Sequence, residues 1–364
     1  MNRIFIAPLA LLSLALAGLT PPLAADEIPQ PYQNCVSKGL DWLAKNQQRD
    51  GHWEAPGGAY PVAMTGMSGI ALLMEGSTLR VGKYAENIRR ATDWLTSHTQ
   101  RNGLISPLDG SGRGYMHDHG YALLFLAEVY GEEEDGDRRR SLENLLTRAV
   151  DFTGKAQTRR GGWGYVSAID GGGGDEGSVT ITQVQALRAC RNAGIAVPKG
   201  IIEQAQKYLK DCTTNNGGVI YSLSNGGGGE RPALTAAAIA CAFSSGDYNS
   251  AQVKKWFLYC RRALPLLGAG RIGHDEYTQY YWAQCVYLLG DDGWAKLFPD
   301  SGAGERITWS KYRKDTFDFL RHAQNSDGSW SGSGNWGQIG PVYATAMALT
   351  IMQLDRATLP IYQR

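Results

Sequence analysis

The stretch KGLDWLAKNQQRDGHW, residues 38–53, decides how the chain folds. In it, Gln47 follows the aromatic Trp42 by five residues, Gly51 comes four residues after Gln47, and Trp53 comes two residues later. The same spacing returns twice, at Phe152, Gln157, Gly161 and Trp163 and again at Phe319, Gln324, Gly328 and Trp330. A spaced pattern of four residues that recurs in this way indicates an internal repeat.

Weaker copies of the pattern fill the intervals between the strong ones. The aromatic anchors are spaced by 52, 58 and 56 residues, at Trp42, Trp94, Phe152 and Tyr208. The next strong anchor, Phe319, lies 111 residues beyond Tyr208, which is the length of two repeats. This gap predicts a degenerate copy around Trp256 to Arg262, so the chain contains six repeats.

Each repeat predicts two helices joined by a glycine-rich turn. The first helix carries many charges, as in Ile201–Lys210, and suits an outer layer. The second is apolar almost all round, which suits burial between neighbouring repeats. We place these second helices at Thr65–Glu75, Gly120–Tyr130, Thr180–Ala193, Leu234–Phe243, Tyr277–Leu289 and Tyr343–Leu354. Six such hairpins predict an all-α closed ring, which needs no polar capping repeat because closure buries both ends.

The repeat resembles the QW motif of squalene and oxidosqualene cyclases, which occurs in weaker form in protein prenyltransferase β subunits. The resemblance covers about residues 32–356, and the chain looks most like exported bacterial prenyltransferase and squalene oxidase repeat proteins. It implies an α6/α6 toroid with a central cavity, in which Gln47, Gln157 and Gln324 are structural. Thr153 departs from the pattern, because an aliphatic residue is expected after the aromatic anchor, and the last copy lacks the leading basic-small pair.

The amino terminus has the order of a secretory signal peptide. A single charged residue, Arg3, is followed by an apolar run and then by the small residues Ala24 and Ala25. We expect cleavage after Ala25, which makes residues 1–25 a signal peptide and the mature chain an exported, periplasmic or extracellular protein. A retained membrane anchor is the alternative, although the apolar run is short for a membrane span. The expected domains are then the toroid at residues 32–356 and a C-terminal tail at residues 357–364.

Composition and charge limit the classes of binding partner that the sequence predicts. The chain has 364 residues and a formal charge of +1, which gives no electrostatic reason to expect nucleic acid. No apolar segment after the signal predicts a transmembrane helix in the mature chain. Glycine is in excess, at 46 residues, and two four-glycine tracts begin 55 residues apart, at equivalent places in two repeats. Export permits disulfides among the six cysteines, but buried free thiols fit equally well.

Unusual polar residues cluster just before or at the start of the second helices. In a closed ring these helices run parallel, so their amino ends and positive dipole ends gather at one mouth of the cavity. Paired carboxylates and a histidine there are the catalytic candidates, namely Asp175, Glu176 and His274. Hydrogen-bonding, cationic and aromatic side chains are the binding candidates, namely Tyr115, His119, Arg231, Tyr277 and Tyr281.

Histidines at this mouth raise a metal hypothesis. Imidazole ligands suited to zinc are supplied by His117, His119 and His274. Zinc is the only cofactor that the sequence suggests. The resemblance implies an Asp-x-Cys before one inner helix for a prenyltransferase-type zinc site, and that motif is absent. Loop histidines that are only solvated or hydrogen bonded are the alternative. Zinc binding therefore stays open at this level.

The other chemistry implied by the resemblance is acid-initiated cyclisation, which cyclases perform with an Asp-x-Asp-Asp motif. That motif is also absent. The adjacent carboxylates Asp175 and Glu176 can raise the pKa of one of them, and Arg231 can hold a carboxylate or phosphate, or else form a salt bridge to a neighbouring repeat. Two functions remain: a toroid that binds or acts on an isoprenoid or other apolar ligand, and a non-catalytic binding or scaffold protein that keeps only the ring.

Overall fold

The six hairpins are present in the computed structural model, which describes residues 28–107, 114–224, 226–264, 275–332 and 339–363. The outer helices are α1 (Gln30–Lys45), α3 (Ala85–Ser97), α5 (Gly136–Ala156), α7 (Lys199–Asp211), α9 (Ala251–Ala263) and α12 (Trp309–Ala323). The inner helices are α2 (Pro61–Leu73), α4 (Tyr115–Glu132), α6 (Gly177–Asn192), α8 (Pro232–Ser244), α10 (Asp275–Leu289) and α13 (Pro341–Met352). A short helix α11 (Gly293–Leu297) and an antiparallel pair, β1 (Ile220–Ser222) and β2 (Gly227–Glu230), complete these segments. Residues 1–25 and His274 lie outside the described residues.

The inner helices form a closed ring. Each contacts the next in chain order, from α2 through α4, α6, α8 and α10 to α13, and α13 packs back against α2. Helix α1 contacts both α12 and α13, so the first hairpin seals against the last. The degenerate fifth repeat supplies α9, which covers the predicted segment from Trp256 to Arg262. The expected all-α ring is confirmed.

The inner helices begin earlier than the apolar periodicity predicted. Three of them start with proline, at Pro61, Pro232 and Pro341. Proline suits the first helical turn because its φ is already helical and its missing N–H has no partner to lose there. The added first turns matter, since they carry His117, Asp118 and Ser178, which face the ring centre.

The repeated glutamines fasten each hairpin to the next outer helix. The Gln47 amide donates to the carbonyl oxygen of Gly51 at 2.7 Å and to that of Asn87, in α3, at 2.9 Å. Gln157 bonds Gly161 and Ile201 in the same way, and Gln324 bonds Gly328 and Cys35, which closes the ring. These side chains are consumed by backbone contacts, as expected for structural residues.

The turn glycines are needed for this close approach. Gly161 has φ +93°, a conformation that side chains rarely adopt, and a Cβ there would overlap the carbonyl oxygen of Gln204. The repeat tryptophan comes two residues later, and Trp163 is fully buried. Trp163 donates its indole N–H to the carbonyl of Thr153 at 2.8 Å, and Trp53 and Trp330 make the equivalent bonds.

The end of the ring opposite the inner helix starts is filled by side chains. Gln185 of α6 donates to Gln284 of α10 at 2.8 Å across the ring. The Tyr280 and Tyr362 hydroxyls lie 2.8 Å apart, and Tyr362 is 2% exposed. The C-terminal residues around Tyr362, expected as a tail, therefore pack into the core. The six cysteines are all buried and unpaired. Within the described ranges no helix is long and apolar enough to cross a membrane.

Candidate functional site

One cavity of about 490 Å³ opens at the amino ends of the inner helices. Every inner helix contributes a side chain from its first or second turn, which is the arrangement that parallel inner helices predict. The apolar lining residues are Ala63, Met64, Met67, Ala233, Leu234 and Ile339. The polar and aromatic lining residues are Tyr60, His117, Asp118, Tyr121, Tyr165, Glu176, Ser178, Tyr221, Arg231, Tyr277 and Tyr343, and Gly114 completes the wall.

Tyrosines extend from the rim of the cavity to its depth. Tyr60 and Tyr165 are 52% and 43% exposed, which places them at the mouth. Tyr165 shares a hydrogen bond of 2.7 Å with the hydroxyl of Tyr221 from the next repeat. Tyr121 and Tyr343 are buried at the deeper end. The cavity therefore offers flat aromatic surfaces along its length, broken by few charges.

A hydrogen-bonded chain of three side chains lies on one wall. Glu176 caps α6, because its Oε2 accepts the N–H of Val179 at 2.9 Å, and it also accepts the Ser178 hydroxyl. The Ser178 oxygen in turn lies 3.0 Å from Nε2 of His117, which donates when it carries the proton. Burial lowers the pKa of His117 to about 4 and raises that of Glu176, although hydrogen bonds to Glu176 oppose the rise. His117 is thus neutral at neutral pH.

Asp118 faces the cavity one residue further along α4. Its Oδ1 accepts the backbone N–H of Ala63 at 3.0 Å, from the first turn of the neighbouring helix α2. Burial raises the pKa of Asp118 to about 7, and the bond from Ala63 only partly counters this rise. A carboxyl group that exchanges a proton near neutrality can act as an acid toward a bound molecule.

Two other predicted residues line the cavity. Arg231 is the exposed N-cap residue of α8, and no described carboxylate forms a salt bridge with its guanidinium. Tyr277, in the first turn of α10, has a buried hydroxyl with no hydrogen-bond partner among the described residues. Burial raises its pKa well above the usual value, so it remains a hydrogen-bond donor.

Asp175 lies outside the cavity, although it precedes Glu176. Its carboxylate accepts hydrogen bonds from groups of the next repeat and its loop, namely Tyr208, Ser222, Ser224 and the backbone of Leu223. Burial favours a raised pKa, but these hydrogen bonds outweigh it and hold the pKa of Asp175 below its usual value. The geometry gives Asp175 a structural task, which is to hold the loop around β1 against repeat three.

His119 is fully buried in the wall between α4 and α5. Its Nδ1 accepts the N–H of Ile105 at 3.2 Å, and its Nε2 lies 2.9 Å from the hydroxyl of Thr153. Threonine hydroxyls accept the equivalent backbone N–H in four other repeats, at Thr65, Thr180, Thr235 and Thr345. Both ring nitrogens of His119 are therefore occupied by the scaffold.

The remaining binding candidates also lie behind the cavity wall. The Tyr115 hydroxyl donates to Asp170 and accepts the N–H of Ser167 at 2.9 Å, which fastens a loop. Tyr281 is buried, and its ring centroid lies 4.8 Å from that of Tyr277. No group of three histidine, cysteine or acidic side chains within the described segments could hold a metal ion, and His274 lies outside those segments.

Solved structures share this architecture. An inactive variant of the α-1,6-mannanase GH76A of Salegentibacter sp. HEL1_6, in complex with α-1,6-mannotriose, matches with a TM-score of 0.62 at 10% identity, over 90% of this chain and 99% of its own. The type II terpene cyclase MstE from Scytonema, in a variant complex with geranylgeranyl dihydroxybenzoate, matches with a TM-score of 0.57 at 14% identity, over 90% and 98%. The chain is an α/α toroid. A protein from Actinoplanes matches with a TM-score of 0.54 at 15% identity, over 90% and 99%. No protein-family model and no curated protein matches the sequence.

The toroid thus gathers four predicted residues at one cavity: His117, Glu176, Arg231 and Tyr277. Sequence reasoning missed Asp118 as a site residue, although it stands between two histidines that were selected. Its position relative to the repeat was the available signal. Met64 and Leu234 precede the repeat threonine in their helices, and Asp118 precedes His119 at the same place.

Proposed function

We propose that the toroid binds an elongated, predominantly apolar molecule of the isoprenoid class in its central cavity. The observation that carries this proposal is the lining of the cavity, where all six inner helices contribute side chains around about 490 Å³ and methionine, leucine, isoleucine and tyrosine predominate. Ligand cavities of roughly 300–1,000 Å³ with apolar and aromatic walls and a few placed polar groups are typical of small-molecule sites.

The terpene cyclase MstE holds geranylgeranyl dihydroxybenzoate within the same fold, which supports the size and class of the proposed ligand. The mannanase complex supplies a chemically different test ligand, the polyhydroxylated sugar mannotriose. Titration calorimetry with these two compounds tests the proposal directly. We expect binding of geranylgeranyl dihydroxybenzoate in the micromolar range or tighter, and no heat from mannotriose.

A cavity-filling variant ties binding to this site. Ala233→Trp places a large side chain in the cavity, and we expect it to weaken prenyl-ligand binding at least tenfold. Val81→Trp, at a position 71% exposed, is the matched control and should bind as the wild type does. Equal binding by both variants would place the ligand elsewhere and refute the proposal.

A second function, acid catalysis on the bound molecule, is favoured by Asp118. Its raised pKa leaves a protonated fraction near neutrality, and its carboxyl group borders the apolar wall. Transfer of its proton to an alkene carbon would leave a carboxylate and a carbocation, which tyrosine faces can stabilise. Attack of a second alkene on this cation closes a ring, and return of a neighbouring C–H proton to the carboxylate gives a neutral isomer and restores the acid. Mass spectrometry after incubation with geranylgeranyl dihydroxybenzoate should show an isomeric cyclised product that Asp118→Asn fails to form. Binding without any product supports the non-catalytic alternative.

We further propose that the protein is exported after cleavage behind Ala25. The charged, apolar and small-residue order of residues 1–25 supports this. Expression of the full chain in a Gram-negative host, followed by cell fractionation and amino-terminal sequencing, tests it. A mature protein that begins at Asp26 in the periplasm is expected, and an uncleaved chain in the membrane fraction would favour the anchor instead.

A further inference from the structure

We infer that the ligand carries a hydroxyl group, which bridges the phenol of Tyr277 and the carboxylate of Glu176 inside the cavity. This inference rests on the proposed binding of an apolar molecule and specifies its polar group. It makes the ligand an isoprenoid-class alcohol or phenol rather than a pure hydrocarbon or an acid.

The donor in this arrangement is Tyr277. Its hydroxyl oxygen is buried and has no hydrogen-bond partner among the described residues, although the side chain lines the cavity. A buried hydroxyl without a partner is unfavourable, because it has lost its hydrogen bonds to water without replacement. A ligand atom that accepts its hydrogen would remove that cost.

The acceptor is Glu176. Its Oε2 is occupied by Val179 and Ser178, while within the described ranges no donor reaches Oε1. Glu176 lines the same cavity as Tyr277 and lies near enough for its charge to raise the pKa of that phenol. The helices that carry them, α6 and α10, approach each other across the ring, as the 2.8 Å bond between Gln185 and Gln284 shows deeper in the structure.

The chemistry of this pair selects one kind of polar group. A carboxylate or phosphate on the ligand has no hydrogen to donate to Glu176, and an ammonium group could not accept from Tyr277. A hydroxyl donates and accepts at once, so it satisfies both. The apolar wall formed by Ala63, Met64 and Met67 contacts the rest of the molecule.

The test compares three ligands of equal chain length: geranylgeraniol, its methyl ether and geranylgeranoic acid. For the wild type we expect the alcohol to bind about tenfold tighter than either of the others, the effect of one hydrogen bond of about 1.4 kcal/mol. Tyr277→Phe removes only the hydroxyl and should abolish the preference over the ether. Tyr281→Phe, which removes a neighbouring buried hydroxyl behind the cavity wall, is the control and should retain the preference.

The experiment distinguishes failure of this inference from failure of the proposed function. If the wild type binds alcohol and ether equally, or if Tyr277→Phe keeps the preference, the inference is overturned while the apolar-ligand proposal stands. If none of the three compounds binds and α-1,6-mannotriose does, both the inference and the proposed function fall.

Discussion

The buried imidazole of His119 makes a quantitative prediction about stability and pH. Burial lowers the pKa of His119 to about 3, from 6.5 for a free side chain. Between these values the unfolded chain binds a proton that the folded chain excludes. The free energy of unfolding therefore decreases by about 1.4 kcal/mol for each pH unit below 6.5. The stability is fully present above pH 6.5 and is lost as the pH falls toward 3.

The perturbation is His119→Thr, which installs the residue that holds this place in four other repeats. Threonine keeps an acceptor for the N–H of Ile105 and removes the titrating group. Between pH 7.5 and pH 4.5 the wild type should lose about 3 kcal/mol more stability than the variant, by the linkage above. Urea unfolding curves at the two pH values measure this difference, and other titrating groups, including His117, cancel between the two proteins.

A double-mutant cycle tests the interaction between His119 and its hydrogen-bond partner Thr153. Thr153→Leu restores the aliphatic residue of the other repeats, removes the hydroxyl bonded to Nε2 and crowds the imidazole, so alone it should cost about 1–3 kcal/mol. In His119→Thr the same leucine fills space that the smaller side chain vacates. We expect the free energy of unfolding of the double variant to lie about 2 kcal/mol above the value expected if the two single effects were additive. Equal pH dependence in wild type and His119→Thr, or additive effects in the cycle, would refute the structural assignment of His119.

Three further predictions concern the scaffold. Gly161→Ala should lower the free energy of unfolding by about 2–4 kcal/mol in urea, because its φ is +93° and a Cβ would meet the backbone of the next outer helix, whereas Gly173→Ala has open space and should be nearly neutral. Asp175→Asn should speed amide hydrogen exchange at Leu223, since the hydrogen bonds to an ionised acceptor weaken while the ring persists. Tyr362→Ala should cost about 3–5 kcal/mol in urea, which a dispensable tail would not show.

The repeat pattern predicted the ring because its signals are local. Gln47, Gly51 and Trp53 act within one turn and on the next outer helix, so spacing alone identifies them. The close packing of the turn glycines against the next outer helix and the apolar inner layer follow from the same short-range pattern. The boundaries were less accurate, because three inner helices begin at a proline, namely Pro61, Pro232 and Pro341, before the residues by which the apolar periodicity identified them.

The candidate site was less predictable because its groups depend on distant partners. Asp175 and Glu176 are adjacent in sequence and looked like a catalytic pair, but donors around residues 208–224 draw Asp175 away from the cavity. Asp118 accepts a hydrogen bond from the backbone N–H of Ala63, which lies 55 residues earlier in the chain. No spacing within one repeat shows which carboxylate a neighbouring repeat will consume and which will face the ligand.

Residues that differ from the repeat pattern nevertheless fall into two groups when their contacts are considered, those that hold the ring and those that face the cavity. His119 departs from the repeat threonine, and Thr153 departs from the repeat leucine, but the two bond each other, so the second change compensates the first. Asp118 stands where Met64 and Leu234 stand in their repeats, and within the described ranges no second substitution neutralises it. A toroid assembled from equivalent hairpins needs agreement at the positions that hold the ring. An uncompensated difference that faces the cavity, such as Asp118, is therefore the kind of residue on which the proposed binding and acid chemistry depend.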